Sequence, residues 1–332
     1  MLYRLGLAAL AAASIPCLAG DGVVPVPVPG VLSPVLRLSG SPFPSTVKVT
    51  SFSLDPSGKR SYLGADGVPF VAEWNGTGFR IFPVPRLAVT ATAISAQGLL
   101  VTGNGYRPGQ GIRINLATKA VTLSNLSANL KIGGLALADN GRLVAVTGWS
   151  GESWVSDDGR LWVKTARLEG IGALFFVYKD PNTGFLYTGG EQPAGLFESR
   201  DHGVSWEPIG LSVADGYGGN TTGATVNALG ELLALRYWKG SVVQRRRGGV
   251  WQACGSGVPP WATVYGLLNI RGTLIVSANG RIWVSMDHGD TWFRAAQDLT
   301  PKAYRIGAGP NNTLLIGTAS GLYKATVLKG PG

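Results

Sequence analysis

The sequence predicts an all-β protein folded as a seven-bladed β-propeller, with four-stranded antiparallel blades and a ring closed by an N-terminal strand. Three observations carry that expectation. A unit recurs about every 42 residues, 49 glycines separate short apolar runs, and one eight-residue turn occurs twice.

The repeat is clearest in the second strand of each unit. These strands read RSYLGADG (60–67), LLVTGNG (99–105), RLVAVTGWSG (142–151), GFLYTGG (184–190), ELLALRY (231–237), TLIVSANG (273–280) and TLLIGTASG (313–321). Tyr62, Leu100, Val144, Leu186, Leu233, Ile275 and Leu315 are equivalent, with gaps of 38, 44, 42, 47, 42 and 40 residues. A third strand and a turn follow, and then an aromatic opens the fourth strand: Phe79, Trp162, Trp206, Trp251 or Trp292. The second unit has the plainer GIRINLATKAVTLSNL (111–126), and the seventh stops one strand short after GLYKATV (321–327). PVLRLSG (34–40) is expected to supply the missing outer strand, because pairing both ends of the chain removes an exposed edge.

The start of the chain reads as a leader rather than as part of the fold. MLYRLGLAALAAASIPCLAG has one charge, Arg4, then an apolar run from Leu5 to Ile15, then the small residues Ala19 and Gly20. The run is too short to span a bilayer, and its order of parts fits a secretory signal peptide over residues 1–20. Cys17 offers a lipid-anchored alternative, disfavoured by Pro16 where such sites want a small residue. The alternating prolines of DGVVPVPVPGVLSP (21–34) cannot feed a central ladder, so residues 21–33 read as a linker or outer edge segment before a single domain at 34–332. The expected setting is export, periplasmic or secreted, with no transmembrane segment. Beyond the leader only Cys254 remains, which excludes an intramolecular disulfide and a cysteine-based metal cluster.

SRDHGVSW (199–206) and SMDHGDTW (285–292) lie 86 residues apart and share a pattern. SDDGRLW (156–162) is a copy one residue short, and QRRRGGVW (244–251) keeps only Gly248 and Trp251. These segments resemble the Asp-box, or bacterial neuraminidase repeat, of the pattern Ser/Thr-x-Asp-x-Gly-x-Ser/Thr-Trp. In physical terms the turn is a hairpin between strands three and four. Its Ser and Asp oxygens accept turn N–H groups, Gly supplies a positive φ and Trp packs between blades. The structural set is therefore Ser156, Asp158, Gly159 and Trp162, Ser199, Asp201, Gly203 and Trp206, and Ser285, Asp287, Gly289 and Trp292. On this reading His202 and His288 mark turns in separate blades, so neither a Ser-His-Asp triad nor a histidine metal site is expected. One turn offers too few carboxylates for calcium. GNGYRPGQG (103–111) lacks the helix that would receive a phosphate. No metal and no cofactor are expected.

Proteins with such boxes include sialidases, other glycosidases, sorting-receptor ectodomains and photosystem assembly factor-like propellers. Fold alone does not choose among them. Resemblance to sialidases implies six blades, an arginine triad, a Tyr–Glu pair and an acid Asp, with the first arginine in Phe/Tyr-Arg-Ile-Pro. FRIFP (79–83) has an extra Phe82, and YRIG (304–307) has Gly307 where Pro belongs. A glycosidase of another kind needs two facing carboxylates, for which Glu152, Glu191, Asp215 and Glu169 are the weak candidates.

The loops opposite the boxes are richer in residues that bind than in residues that react. They carry Tyr106, Arg107, Trp149, Arg236, Tyr237, Trp238 and Lys239, then Tyr217, Trp261, Lys302, Tyr304 and Arg305. Aromatic faces beside guanidinium groups suit sugar rings, peptides and anionic polymers. The formal charge of +10 points to an acidic partner, although only Arg245–Arg247 form a run. Resemblance to the assembly factor-like group implies a scaffold with a basic surface. The expectation is an exported, monomeric, non-enzymatic propeller binding a protein, peptide or glycan, and no nucleic acid. The alternative is a carbohydrate-active hydrolase using loop carboxylates.

Overall fold

A computed structural model describes residues 30–95, 97–104, 111–126, 131–191, 195–210, 220–237, 242–260, 262–295 and 302–328. The leader expected at 1–20, most of the Pro-rich segment, Tyr106, Arg107, Asp215, Tyr217, Trp238, Lys239 and Trp261 lie outside the described residues.

The described residues are all-β. After β1 (Leu36–Arg37), one six-stranded sheet holds β2 (Val49–Leu54), β3 (Ser61–Trp74), β4 (Phe79–Ile94), β5 (Leu99–Asn104), β6 (Ile112–Asn115) and β7 (Val121–Leu123) in that order. Four-stranded sheets follow. The first is β8 (Ile132–Leu137), β9 (Leu143–Thr147), β10 (Glu152–Ser156) and β11 (Val163–Arg167). The next is β12 (Leu174–Lys179), β13 (Leu186–Gly190), β14 (Leu196–Ser199) and β15 (Glu207–Pro208). Then come β16 (Asn220–Val226), β17 (Leu232–Tyr237), β18 (Val243–Arg247) and β19 (Val250–Ala253), and β20 (Val264–Ile270), β21 (Thr273–Ala278), β22 (Arg281–Ser285) and β23 (Phe293–Arg294). The last sheet is β24 (Ala303–Gly309), β25 (Thr313–Thr318) and β26 (Gly321–Thr326), with β1 as its outer strand.

The protein is thus a β-propeller of six blades, not the seven that the repeat predicted. The difference lies in the first two repeat units, which share one sheet. β3 has 14 residues and β4 has 16, and β4 pairs with β3 through its first part and with β5 through its second. No break therefore separates the two units. Blade count accordingly no longer sets the chain apart from six-bladed sialidases. The repeat spacing reported the strands correctly but carried no information on whether two units share a ladder.

The sheets stand in a ring about a central channel. β8 lies against β4, β12 against β8, β16 against β12, β20 against β16, β24 against β20 and β2 against β24, so the fused sheet gives both β2 and β4 to the channel wall. Leu36 pairs with Lys324 and Arg37 with Tyr323. Beside them Leu32 bridges Val327, and Val31 is buried, so the end of the Pro-rich stretch lies along the same edge. The second strands β9, β13, β21 and β25 are buried along their whole length, which is why they read as runs of apolar, small and hydroxyl residues without charge. The outer strands β7, β11, β15 and β19 face solvent at most positions.

The repeated turn lies where blades meet. Ser199 Oγ accepts the Gly203 N–H at 2.8 Å and Ser285 Oγ the Gly289 N–H at 3.0 Å. The Asp201 and Asp287 carboxylates take the N–H groups of Ser205 and Thr291, each at 2.9 Å. In the short copy Ser156 Oγ accepts the Gly159 N–H, and Asp158 takes those of Arg160 and Leu161. Burial alone would raise the Asp201 and Asp287 carboxyls; these hydrogen bonds outweigh it and hold both below the usual range. His202 (φ 60°) and His288 (φ 63°) share the left-handed region with the glycines that follow them, so the tight bend takes two such residues in succession.

Each bend presses on the preceding blade. A Cβ on Gly203 (φ +87°) would lie 2.7 Å from Val144 of β9, and one on Gly289 (φ +100°) would lie 2.8 Å from Leu233 of β17. The Gly203 carbonyl accepts Ser153 and Thr165 hydroxyls, and the His288 carbonyl accepts Asn227 Nδ2 at 3.1 Å. Trp292, 1% exposed, joins a core cluster with Leu233, Leu235 and Val243 of that neighbour. Trp162 packs likewise with Ala91, Ala93 and Ile132. Gly289→Ala therefore combines backbone strain with overlap on Leu233 and should cost about 2–4 kcal/mol. Gly249→Ala meets positive φ (83°) but open space and should cost about 1 kcal/mol. Urea unfolding of the two variants checks the order.

Candidate functional site

Antiparallel order puts the turns between strands three and four on one face of the ring and the starts of the inner strands on the other. That opposite face is shaped by a feature absent from the sequence reading. Each inner strand shifts register near its start: between Val49 and Ser51, Val89 and Ala91, Ile132 and Gly134, Leu174 and Phe176, Thr221 and Gly223, Val264 and Gly266, and Ala303 and Arg305. Each shift leaves one residue without a ladder partner and re-aims its side chain. Thr50, Gly133, Phe175, Thr222, Tyr265 and Tyr304 occupy these positions around the channel mouth.

Two of them meet. The Tyr265 and Tyr304 rings pack edge to face with centroids 5.5 Å apart. Lys48 Nζ sits 4.2 Å above the Tyr304 ring, and Arg305 Nη1 donates to the Tyr265 carbonyl at 3.0 Å. Three elements, the approach to β2 and the starts of β20 and β24, thus gather one cation over an aromatic face and a second on the backbone beside the ring pair. Burial first, and then the Arg305 charge, hold the Lys48 ammonium below its ordinary pKa, with Asp66 opposing. Burial also pushes the Tyr265 phenol up, helped by Tyr304 and Tyr237. Lys48 is half-buried and Arg305 is exposed, and two like charges kept this close favour an incoming negative group.

Of the residues singled out in the sequence, Tyr304 and Arg305 are brought together here, with exposed Lys302 just before them. Tyr237, at the end of β17, is half-buried against the neighbouring core cluster, while Arg236 is only 6% exposed within its strand. Trp149 stands apart at 71% exposure, with Lys131 Nζ 5.4 Å from its ring centroid. Lys48 and Tyr265 were not anticipated. Lys48 precedes a strand in a unit chosen for its second-strand glycines, and no sequence signal marks the register shift that exposes Tyr265.

The carboxylate candidates are less suited to chemistry. Glu152 accepts from Ser150 Oγ at 3.1 Å and pairs with Lys164 Nζ at 3.4 Å. Glu169 and Glu191 are exposed, with the Glu191 N–H bonded to the Ala173 carbonyl. The arginine run is also largely spent. Arg245 is buried and pairs with Asp290 at 2.6 Å and Glu231 at 3.5 Å, and Arg247 pairs with Glu231 at 2.5 Å. That run does not form an open basic patch, because strand alternation turns Arg245 inward.

Among the described residues, no cluster of three or more His, Cys, Asp or Glu is placed to hold a metal, and no helix is long and apolar enough to cross a membrane. No family model and no curated protein sequence matches the chain. Solved structures do match in fold. Virginiamycin B lyase from Staphylococcus aureus superposes with a TM-score of 0.73 at 12% identity, covering 88% of this chain and 99% of that one. YCF48 bound to D1 peptide superposes with a TM-score of 0.70 at 13% identity, covering 92% and 98%. The extracellular domain of BT4673 from B. thetaiotaomicron superposes at 0.68 and 12% identity, covering 87% of this chain but 39% of that one. At these identities the likeness is one of fold: a lyase, a peptide-bound protein and the extracellular domain of a one component system share it.

Replacing Arg305 by Ala should raise the Lys48 pKa part of the way back toward 10.5, since burial remains when the neighbouring charge is gone. Titration of the Nζ resonance by NMR reads this directly, and an unmoved value would show that the two cations do not feel each other.

Proposed function

We propose that this chain is an exported, non-enzymatic binding propeller that grips a protein, peptide or glycan through the face opposite its repeated turns, with a preference for acidic partners. The observation that carries this reading is the gathering of Lys48, over the Tyr304 ring, and Arg305, on the Tyr265 carbonyl, beside the packed Tyr265–Tyr304 rings at the channel mouth. Stacking and cation–π faces give contact area, and the two neighbouring positive charges favour an incoming carboxylate over a neutral group. Peptide capture by YCF48, a propeller of similar fold, supports a partner of this kind, and the BT4673 ectodomain supports an extracellular setting. Export itself rests on the leader-like residues 1–20, and membership of the Asp-box group on the repeated turn.

The hydrolase alternative draws less support. Glu152 is tied to Ser150 and Lys164. The sialidase-like FRIFP segment places Arg80 near a Tyr62–Glu73 pair, but burial and the Glu73 charge push the Tyr62 phenol up, away from the phenolate a nucleophile needs.

Acidic and neutral peptide libraries, a glycan array and a chromogenic glycoside panel should be run together on the full chain. The expected result is retention of acidic ligands, weakened at least tenfold by Lys48→Met or Arg305→Ala, about 1.4 kcal/mol each, with no glycoside turnover. Turnover abolished by Glu191→Gln would overturn the reading.

A further inference from the structure

On the face of the repeated turns, far from the channel mouth in strand order, a cleft of about 460 Å³ opens between the turns that follow β2, β4 and β6. Its size falls within the range of small-molecule sites, about 300–1,000 Å³. We propose that it binds a small organic anion, a molecule with a carboxylate or phosphate head on a compact apolar body.

Both arginines at the cleft are held by contacts within the chain. The Arg80 guanidinium lies 4.8 Å over the Phe82 ring, and its Nη2 donates to the Leu116 carbonyl at 3.2 Å. No carboxylate pairs with it among the described residues. Arg60 leans on Glu73 at 3.9 Å, and Glu73, 7% exposed, already accepts the Tyr62 hydroxyl at 2.9 Å. Gly67, at φ +72°, bends β3 so that Tyr62 and Glu73 can meet. Each guanidinium is therefore steadied by internal contacts while it lines the cleft, and a planar fork of donors is the group that recognises carboxylate and phosphate.

The other acidic group in the cleft does not compete. Asp55 accepts the N–H groups of Lys59 and Arg60 at 2.8 and 3.0 Å and the Ser57 hydroxyl at 2.7 Å, so its oxygens close the turn. Beside the arginines the lining is apolar, with Pro56, Ile94 and Leu116 facing the space and Ser95 adding a hydroxyl. An anionic head between Arg60 and Arg80 would lay its body on that floor. The sequence reading noticed Arg80 only as an imperfect match to another motif, and passed over Arg60 because it sits in a repeat strand.

Isothermal titration of the full chain at low ionic strength, with benzoate, phenyl phosphate and benzyl alcohol as probes, tests the site. Saturable binding of benzoate, phenyl phosphate or both is expected, with none for benzyl alcohol; the anion that binds names the head group. Arg80→Gln and Arg60→Gln should each weaken it at least tenfold, and Arg80→Lys less. The loss caused by Arg80→Gln should recur in a chain that already carries Arg305→Ala, which separates this site from the channel mouth. Should Arg60→Gln unfold by exposing Glu73, as a thermal melt would reveal, Arg80→Gln decides alone. Binding of neither anion, equal binding of benzyl alcohol, or anion binding unaffected by Arg80→Gln would overturn the proposal.

Discussion

A blade of three or four short strands buries too little to stand alone in water, so each depends on a neighbour's face against its own. One close part of that contact is the bend at Gly203 and Gly289, where the turn backbone touches Val144 and Leu233 with no room for a side chain. Those two residues hold the position that aligns across all the repeats. The recurrence of Ser-x-Asp-x-Gly and the recurrence of an apolar second strand are therefore two sides of one contact. A small bend, stiffened by Ser and Asp oxygens, fits the apolar strand of the blade before it. Where the turn is short, as at 156–162, Trp162 and its neighbours still complete the contact.

The same constraint decides where a ligand can be met. The turn face spends its polar side chains on closing bends and receiving donors from the next blade. The opposite face ends in inner strands that shift register near their starts, and at two of them this frees an aromatic side chain at the mouth. At Tyr265 and Tyr304 these freed residues are aromatic, and Lys48 and Arg305 flank them. Stability and recognition are thereby assigned to opposite ends of the same strands. The cleft between Arg60 and Arg80 departs from this division, and it arises where two units fuse into one sheet.

Strand content, the second-strand register and the mechanics of the repeated turn were legible in the sequence, because each depends on local spacing and on residues with strong conformational preferences. The blade count was not, since spacing says nothing of whether β4 serves two units in one ladder. Arg305 and Tyr304 could be placed at the start of an inner strand, on the face opposite the turns, from the repeat alone. Lys48 and Tyr265 could not, because a register shift depends on packing between strands rather than on their own residues. The arginine run at 245–247 misled by composition: alternation along β18 buries Arg245 between Glu231 and Asp290, which charge counting cannot see.

The central claim is that the chain works at one face and is braced at the other. Amide hydrogen exchange with and without a saturating acidic peptide tests it most directly. The account predicts new protection confined to residues 48–51, 264–266 and 303–306, with the turns at 199–206 and 285–292 unchanged. Protection centred on those turns instead, with the channel mouth unaffected, would contradict it.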